Sequence, residues 1–173
     1  MSLVDDDQVI KALTADRANE RLGDGIRARG PFGRVNFEAM EKELRLGTEQ
    51  RQVVDLTAEA ERFAAEAGGD GLLNVFVPHA TAGLALMETG SGSEADLVDA
   101  LSRLLPRGDR YRHRHGSPGH GADHLLPVLL SPSVSIPLRD GKLRLGRWQS
   151  IVVVDMNQDN PRRTVLLTLL RSG

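Results

Sequence analysis

The stretch that decides the fold is an apolar run near the middle of the chain, Gly71-Leu72-Leu73-Asn74-Val75-Phe76-Val77-Pro78-His79. A short apolar run bounded by glycine and proline is typical of a strand that is buried on both faces of a sheet. We therefore predict a central strand here. Because His79 follows it directly, we expect this histidine to lie at an edge of the sheet.

Patterns on both sides of this run predict further strands. Apolar or alternating segments occur at residues 41–47, 51–56, 82–86, 134–138, 143–145, 151–154 and 165–170. The segment Arg139-Asp140-Gly141-Lys142 has the Asp-Gly centre of a tight hairpin turn. A short helix is expected over residues 125–130, where Pro127 interrupts an apolar run.

Two longer helices are predicted from apolar residues at helical spacing, over residues 57–67 and 94–105. Thr57 is expected to cap the first helix. Ser93 and Asp96 fit a capping box at the start of the second.

These elements together predict an α+β fold. Since most strands are joined by short turns, we expect a compact, largely antiparallel, β-sandwich-like sheet core with two or more flanking helices. Residues 1–38, interrupted by several glycines, are expected to form an irregular N-terminal arm, and residues 39–173 a single domain.

Composition narrows the functional classes. The formal net charge of −2, without clustered Lys and Arg, argues against nucleic-acid binding. No apolar stretch approaches the roughly 18 residues that a membrane span needs, and the acidic N-terminus does not resemble a signal peptide. The chain has no cysteine, so disulfides and thiolate metal sites are excluded. A cytoplasmic protein without a membrane or nucleic-acid partner is expected.

Four of the five histidines lie in one loop rich in glycine and proline. His113 and His115 would share a face of an extended segment, and His120 and His124 a face of a helix. With His79 they exceed the three protein ligands of a catalytic zinc site. The loop therefore predicts a metal site, and the alternative is a polar surface loop whose histidines are solvated.

A few polar or aromatic residues elsewhere are further candidates. Glu88 suits a general base or a ligand, and Asp155 follows a predicted buried strand. Arg162 and Arg163 can bind phosphate, because guanidinium matches phosphate oxygens bidentately. Trp148 is interpreted as core packing or as a pocket wall. The alternatives are a solvated Glu88, a turn cap at Asp155 and two surface arginines.

An ordered set of motifs resembles one protein family. The motifs are His79-Ala80-Thr81-Ala82-Gly83-Leu84 with Glu88, Tyr111-Arg112-His113, Asp123-His124-Leu125, Ser133-Val134-Ser135-Ile136-Pro137, Asp140 to Gln149, and Asp159-Asn160-Pro161-Arg162-Arg163. In this order they resemble the YjbQ family of small proteins, often described as secondary thiamine-phosphate synthases. The resemblance covers about residues 40–171.

The resemblance implies a β-rich α+β fold, a homotrimer, and a site near a subunit boundary where histidines bind a divalent metal. Zinc is expected first, with magnesium as the alternative. The metal ligands that it implies are His79, His113 and His124. The catalytic residues that it implies are His79 and Glu88, and the substrate-binding residues are Thr81, Trp148, Gln149 and Arg163. This chain departs from the family pattern at Arg114 and in carrying an additional His120.

Three functional hypotheses follow. The first is an enzyme, implied by the resemblance, that joins hydroxymethylpyrimidine pyrophosphate to thiazole phosphate. Because these small substrates are phosphorylated, the reaction would need a metal or an Arg side chain to stabilise the negative charge that develops on phosphate. The second is a zinc-dependent hydrolase that uses the same residues. The third is a non-catalytic trimeric module that binds a metal or an anion.

Overall fold

The computed structural model describes residues 27–30, 33–48, 52–108 and 110–172. Its strands are β1 (Arg27–Gly30), β2 (Gly33–Gly47), β3 (Val53–Asp55), β4 (Gly71–Phe76), β5 (Ala82–Met87), β6 (Ser133–Arg139), β7 (Lys142–Leu143), β8 (Ser150–Asp155) and β9 (Arg162–Ser172). Its helices are α1 (Thr57–Ala67), α2 (Ser93–Leu104), α3 (His120–Asp123) and α4 (Leu126–Leu129). In the part of the chain that the structure describes, no helix is long and apolar enough to span a bilayer.

The strands form two antiparallel sheets, which confirms the predicted α+β class. The larger sheet has the order β1-β2-β9-β4-β6-β7, and the smaller one has the order β3-β8-β5. The longest pairing joins β2 to β9, from Phe37 opposite Ser172 to Gly47 opposite Arg162. The smaller sheet brings the start of β5 next to the end of β8, with Ala82 opposite Asp155.

Strand β8 contributes side chains to two separate hydrophobic clusters. Ile151 and Val153 contribute to the main core, with α1 and the inner face of the six-stranded sheet. Val152 and Val154 contribute to a second cluster with residues of α2 and α4. Successive side chains of a strand point to opposite faces, so β8 is buried on both sides. The smaller sheet is therefore the middle layer between the larger sheet and two helices.

The prediction that β4 is buried on both faces is wrong. Leu73 and Val75 lie in the main core, but Leu72 and Phe76 on the other face are 40% and 37% exposed. Strand β4 lies within the larger sheet, between β9 and β6. The described residues cover the face that carries Leu72 and Phe76 only in part. An apolar run indicates a strand but does not tell how many of its faces are covered.

Both long helices were predicted correctly in position, but their capping was not. Thr57 is the first residue of α1 rather than its cap, and its backbone N–H and hydroxyl both donate to Asp55 Oδ1, at 2.8 and 2.6 Å. The N-cap of α2 is Gly92, with φ of 96°, and no side chain caps the helix. Glu94 instead accepts a hydrogen bond from the Gly90 N–H at 2.8 Å. The capping box therefore does not form.

The hairpin and the N-terminal region complete the fold. Asp140 and Gly141 connect β6 to β7 with φ of 50° and 72°, which confirms the predicted Asp-Gly turn. Strand β2 begins at Gly33 and so crosses residue 38, the predicted end of the arm. Residues 1–26 of that arm lie outside the described residues.

Candidate metal centre

Four imidazoles converge in the segment between α2 and α4. One ligating nitrogen from each of His113, His115, His120 and His124 lies within 4.8 Å of the others. His113 and His115 come from a segment outside the helices and strands, whereas α3 begins at His120 and His124 follows its last residue. The Nε2 atoms of His120 and His124 are 3.0 Å apart. The four predicted loop histidines thus form one group, which we call the histidine group.

A buried ion pair anchors this segment to the rest of the protein. The Arg107 guanidinium donates to the carboxylate of Asp123, which is 1% exposed, and to the Met156 carbonyl oxygen at 2.8 Å. The Asn157 side chain donates to Asp123 Oδ2 at 3.0 Å. Because these partners hold the residue that precedes His124, they fix the backbone position from which the His124 side chain extends.

A second carboxylate contacts the histidine group directly. Asp159 Oδ2 lies 2.6 Å from His120 Nδ1, and the Ser117 backbone N–H donates to both oxygens of Asp159, at 3.2 and 3.1 Å. These contacts, with the Ser117 N–H the largest cause, hold the pKa of Asp159 below its usual value. The sequence included Asp159 in a motif but did not indicate this role.

The electrostatics around His113 and His124 favour their neutral forms. Desolvation by the surrounding atoms lowers the pKa of the half-buried His124, and also that of His113 although this residue is exposed, below the ordinary value of 6.5, and the neighbouring histidines lower both further. A metal binds the neutral imidazole, so this shift keeps the metal-binding form populated to lower pH.

A cavity opens beside the group. Its volume is about 340 Å³, and its lining includes Tyr111, His113, Arg114, His115 and His120. Ligand sites in proteins usually have volumes of about 300–1,000 Å³, so this cavity can hold a small molecule. Arg114 gives it a cationic group suited to an anionic substrate.

The predicted Arg163 and Thr81 lie in a different network. The Arg163 guanidinium is 2% exposed and donates from Nε to Asp155 Oδ2 at 2.7 Å and from Nη2 to Asp155 Oδ1 at 3.1 Å. Its Nη2 also donates to the Thr81 hydroxyl at 3.2 Å. Thr48 donates to Asp155 Oδ2 at 2.7 Å. This buried ion pair joins β8 to β9, and an anion could reach Arg163 only if the pair opened.

His79 adjoins that ion pair rather than the histidine group. Its Nε2 accepts a hydrogen bond from the Thr164 backbone N–H at 2.8 Å. Burial and the positive charge of Arg163 lower the pKa of His79, and Asp155 opposes them. A neutral His79 therefore links the segment before β5 to β9, and only its Nδ1 remains for another partner.

Glu88 lies at the opposite end of β5 from His79. Thr81 immediately precedes β5 and Glu88 immediately follows it. The six residues of β5 span roughly 20 Å at about 3.3 Å per residue. Glu88 is exposed, and the two predicted catalytic residues are not brought together within one protomer.

Trp148 and Gln149 lie at the same end as Glu88, because they precede β8 and Ser150 pairs with Met87. Trp148 is 64% exposed, so its interpretation as core packing is wrong. The Arg147 guanidinium carbon lies 4.9 Å from the centre of the Trp148 ring. Gln149 Oε1 accepts a hydrogen bond from the Gly146 N–H at 2.8 Å.

Comparisons with known proteins agree on one family. A family model described as UPF0047 protein YjbQ-like matches residues 42–172. A UPF0047 protein of Mycobacterium bovis is 62% identical over 127 residues, which cover 73% of this chain and 98% of that protein. A UPF0047 protein of Archaeoglobus fulgidus is 34% identical over 128 residues, covering 73% of this chain and 99% of that protein.

Solved structures show the same fold. The crystal structure of a hypothetical protein from Aeropyrum pernix matches with a TM-score of 0.67 and 32% identity, covering 77% of this chain and 97% of that one. A YbjQ-like protein of unknown function from Sulfolobus solfataricus matches with a TM-score of 0.72 and 23% identity, covering 78% and 99%. At that identity the second match supports the fold alone.

Proposed function

The chain belongs to the UPF0047 YjbQ-like family, and we propose that it is a metal-dependent enzyme acting on a small phosphorylated molecule. The observation that carries this proposal is the histidine group, whose ligating nitrogens lie within 4.8 Å of one another. Imidazole nitrogens suit zinc, nickel or copper better than magnesium. Zinc is therefore the metal that we propose first, in a protein of the cytoplasm.

The donor geometry fits such an ion. Tetrahedral zinc with Zn–N bonds of about 2.0–2.1 Å places two ligand nitrogens roughly 3.3 Å apart. The Nε2 atoms of His120 and His124, at 3.0 Å, need to separate by only a few tenths of an ångström. The neutral forms of His113 and His124 that the lowered pKa values favour are the forms that bind metal.

The cavity of about 340 Å³ beside the histidine group is the proposed substrate site. When bound, the metal would supply a Lewis acid that stabilises charge on a phosphate oxygen. Arg114 would bind and orient the phosphorylated group, since its guanidinium can pair with two phosphate oxygens. Tyr111 lines the same cavity and would limit the size of the substrate.

The reaction implied by the resemblance fits these residues. A thiazole phosphate would attack the methylene carbon of hydroxymethylpyrimidine pyrophosphate, forming a C–N bond as the C–O bond to pyrophosphate breaks. The departing pyrophosphate carries the developing charge, so a cationic cavity is what the step requires. Arg114 is the side chain of this chain that we assign to that charge.

The proposal includes a homotrimer. Glu88, Trp148 and Gln149 are at the end of β5 remote from His79, so these residues would meet His79 only across a subunit boundary. The exposed Leu125, Val128 and Leu129 give an apolar surface next to His124, as a subunit interface would require. Their exposed fractions are 42%, 78% and 50%.

One observation favours a second candidate function. If all four histidines ligated a tetrahedral ion, no coordination position would remain for water or substrate. A closed site of this kind is typical of structural metals. The protein would then be the non-catalytic trimeric metal-binding module that the sequence also allowed.

The test is turnover by the zinc-loaded protein. We expect pyrophosphate release from the two thiamine precursors, lost in His124→Ala. If Glu88 is the general base, Glu88→Gln would abolish turnover with zinc still bound, whereas Glu66→Gln, an exposed glutamate of α1, would retain it. A screen of other phosphorylated compounds would identify a hydrolase. Zinc bound by four imidazoles, with no turnover of any compound, would reject the enzyme and support the module.

A further inference from the structure

The contact between Asp159 and His120 indicates how one ligand of the proposed metal site is oriented, and this inference rests on the proposed function. We propose that His120 is a metal ligand through Nε2 and that Asp159 is a positioning residue that fixes its tautomer and orientation. The ligands implied by the family resemblance were His79, His113 and His124. The structure instead brings the additional histidine of this chain into the group.

The tautomer follows from the partners of Asp159. The carboxylate accepts the Ser117 N–H on both oxygens and approaches His120 Nδ1 to 2.6 Å. An ionised carboxylate can only accept hydrogen bonds, so Nδ1 must carry the proton. In a neutral imidazole the lone pair then lies on Nε2, which is the atom available to a metal.

Asn157 does not compete for this atom. Its side-chain nitrogen lies 3.2 Å from His120 Nδ1, but both would be donors, so the contact is not a hydrogen bond. The Asn157 amide donates instead to the buried Asp123, at 3.0 Å. Asp159 is therefore the partner that determines where the His120 proton resides.

The orientation of His120 places Nε2 inside the histidine group. It lies 3.0 Å from His124 Nε2. The His120 ring is stacked on His113, with ring centres 5.4 Å apart, and its centre is 4.8 Å from that of His115. One nitrogen of the ring thus faces a carboxylate and the other faces the His124 imidazole, which is the arrangement of metal-ligating histidines with a carboxylate behind them.

Gly116 provides the space for this arrangement. A Cβ at this position would lie 2.6 Å from His120 Cγ and 2.7 Å from Asp159 Oδ2, closer than real Cβ atoms approach. Its φ of +82° is also one that side-chain-bearing residues rarely adopt. The backbone conformation therefore brings the carboxylate and imidazole together without obstruction.

The experiment measures zinc affinity by competition with a chromophoric chelator, using the full chain. The variants are His120→Ala, Asp159→Ala and Asp159→Asn, and Asp99→Ala is the matched control that removes an exposed carboxylate of α2. Loss of an orienting group typically costs about 10- to 100-fold in metal affinity, so we expect that for Asp159→Ala and at least as much for His120→Ala. Asp159→Asn, which keeps an acceptor, should lose less.

A second readout does not require metal. Long-range proton–nitrogen correlation spectra of the metal-free protein should show His120 protonated at Nδ1, and this preference should weaken in Asp159→Ala. Zinc affinities of His120→Ala and Asp159→Ala equal to that of the wild type, or His120 protonated at Nε2, would overturn the inference. In that case loss of zinc in His113→Ala and His124→Ala would still leave the proposed function standing, whereas a wild-type protein that binds no zinc would reject both.

Discussion

Replacing Arg163 by methionine removes one member of the buried ion pair between β8 and β9. Arg163 and Asp155 are each 2% exposed, and two hydrogen bonds of 2.7 and 3.1 Å join them. Among the described residues, the Asp155 carboxylate would keep the hydroxyl of Thr48 and the backbone N–H of Asn157 as donors. A charge would therefore remain buried without its counter-ion.

Removing one partner of a buried ion pair typically costs about 3–5 kcal/mol. Because Asp155 keeps two donors, we expect Arg163→Met to lower the free energy of unfolding by about 3 kcal/mol, at the lower end of that range. Replacing both residues, by Arg163→Met with Asp155→Leu, should cost less than the sum of the single changes, since no unpaired charge is then buried.

Urea-induced unfolding followed by circular dichroism measures these free energies. The matched control is Arg45→Met, which breaks an exposed ion pair with Glu43 of 2.9 Å and should cost no more than about 1 kcal/mol. A loss below 1 kcal/mol for Arg163→Met, together with loss of substrate binding, would refute the structural assignment. Arg163 would then be the anion-binding residue that the family resemblance implies.

Three further predictions concern the segment before β5, strand β5 itself and the main core. His79→Ala should lower the free energy of unfolding by about 1–2 kcal/mol at pH 8, because the Thr164 N–H loses its acceptor. The pKa of His79 is lowered in the folded protein, so the unfolded chain binds more protons below pH 6.5, and the free energy of unfolding of the wild type should fall there towards that of His79→Ala. Urea unfolding at pH 8 and at pH 5 measures the difference in this free energy between the two proteins. A difference that is larger at pH 5 than at pH 8 would contradict the prediction. Gly83→Ala places a Cβ 2.3 Å from the Leu130 carbonyl oxygen and should cost about 1–3 kcal/mol, measurable as a lower Tm, with an unchanged Tm as the contrary result. Phe63→Ala empties a fully buried position and should cost about 3–5 kcal/mol in urea unfolding, and a cost under 1 kcal/mol would show that the core is not packed around this ring.

The sequence predicted the helices and the turn correctly because these elements depend on residues that are close together in the chain. The spacing of apolar residues located α1 and α2, because helical periodicity reports one buried face. The Asp140-Gly141 turn was predictable because its positive φ angles favour these residue types. The density of histidines also indicated the histidine group before its geometry was known.

Long-range contacts explain what the sequence did not predict. An apolar run does not reveal which layer lies against each face, so burial on both sides was assigned to β4, although β8 is the strand between two cores. Nothing near His79 in sequence indicated that Thr164 would occupy its Nε2. Likewise, the pairing of Asp159 with His120 depends on how the segment after β8 folds against α3.

The most direct test of the metal centre is the zinc content of purified, tag-free protein, measured by elemental analysis after incubation with zinc and removal of the excess. We predict one zinc per chain in the wild type and in His79→Ala, and none in the double variant His113→Ala/His124→Ala. Loss of zinc in His79→Ala as well would support the ligand set implied by the resemblance. A wild-type chain that retains no zinc, or a double variant that retains it fully, would contradict a metal centre built from the histidine group.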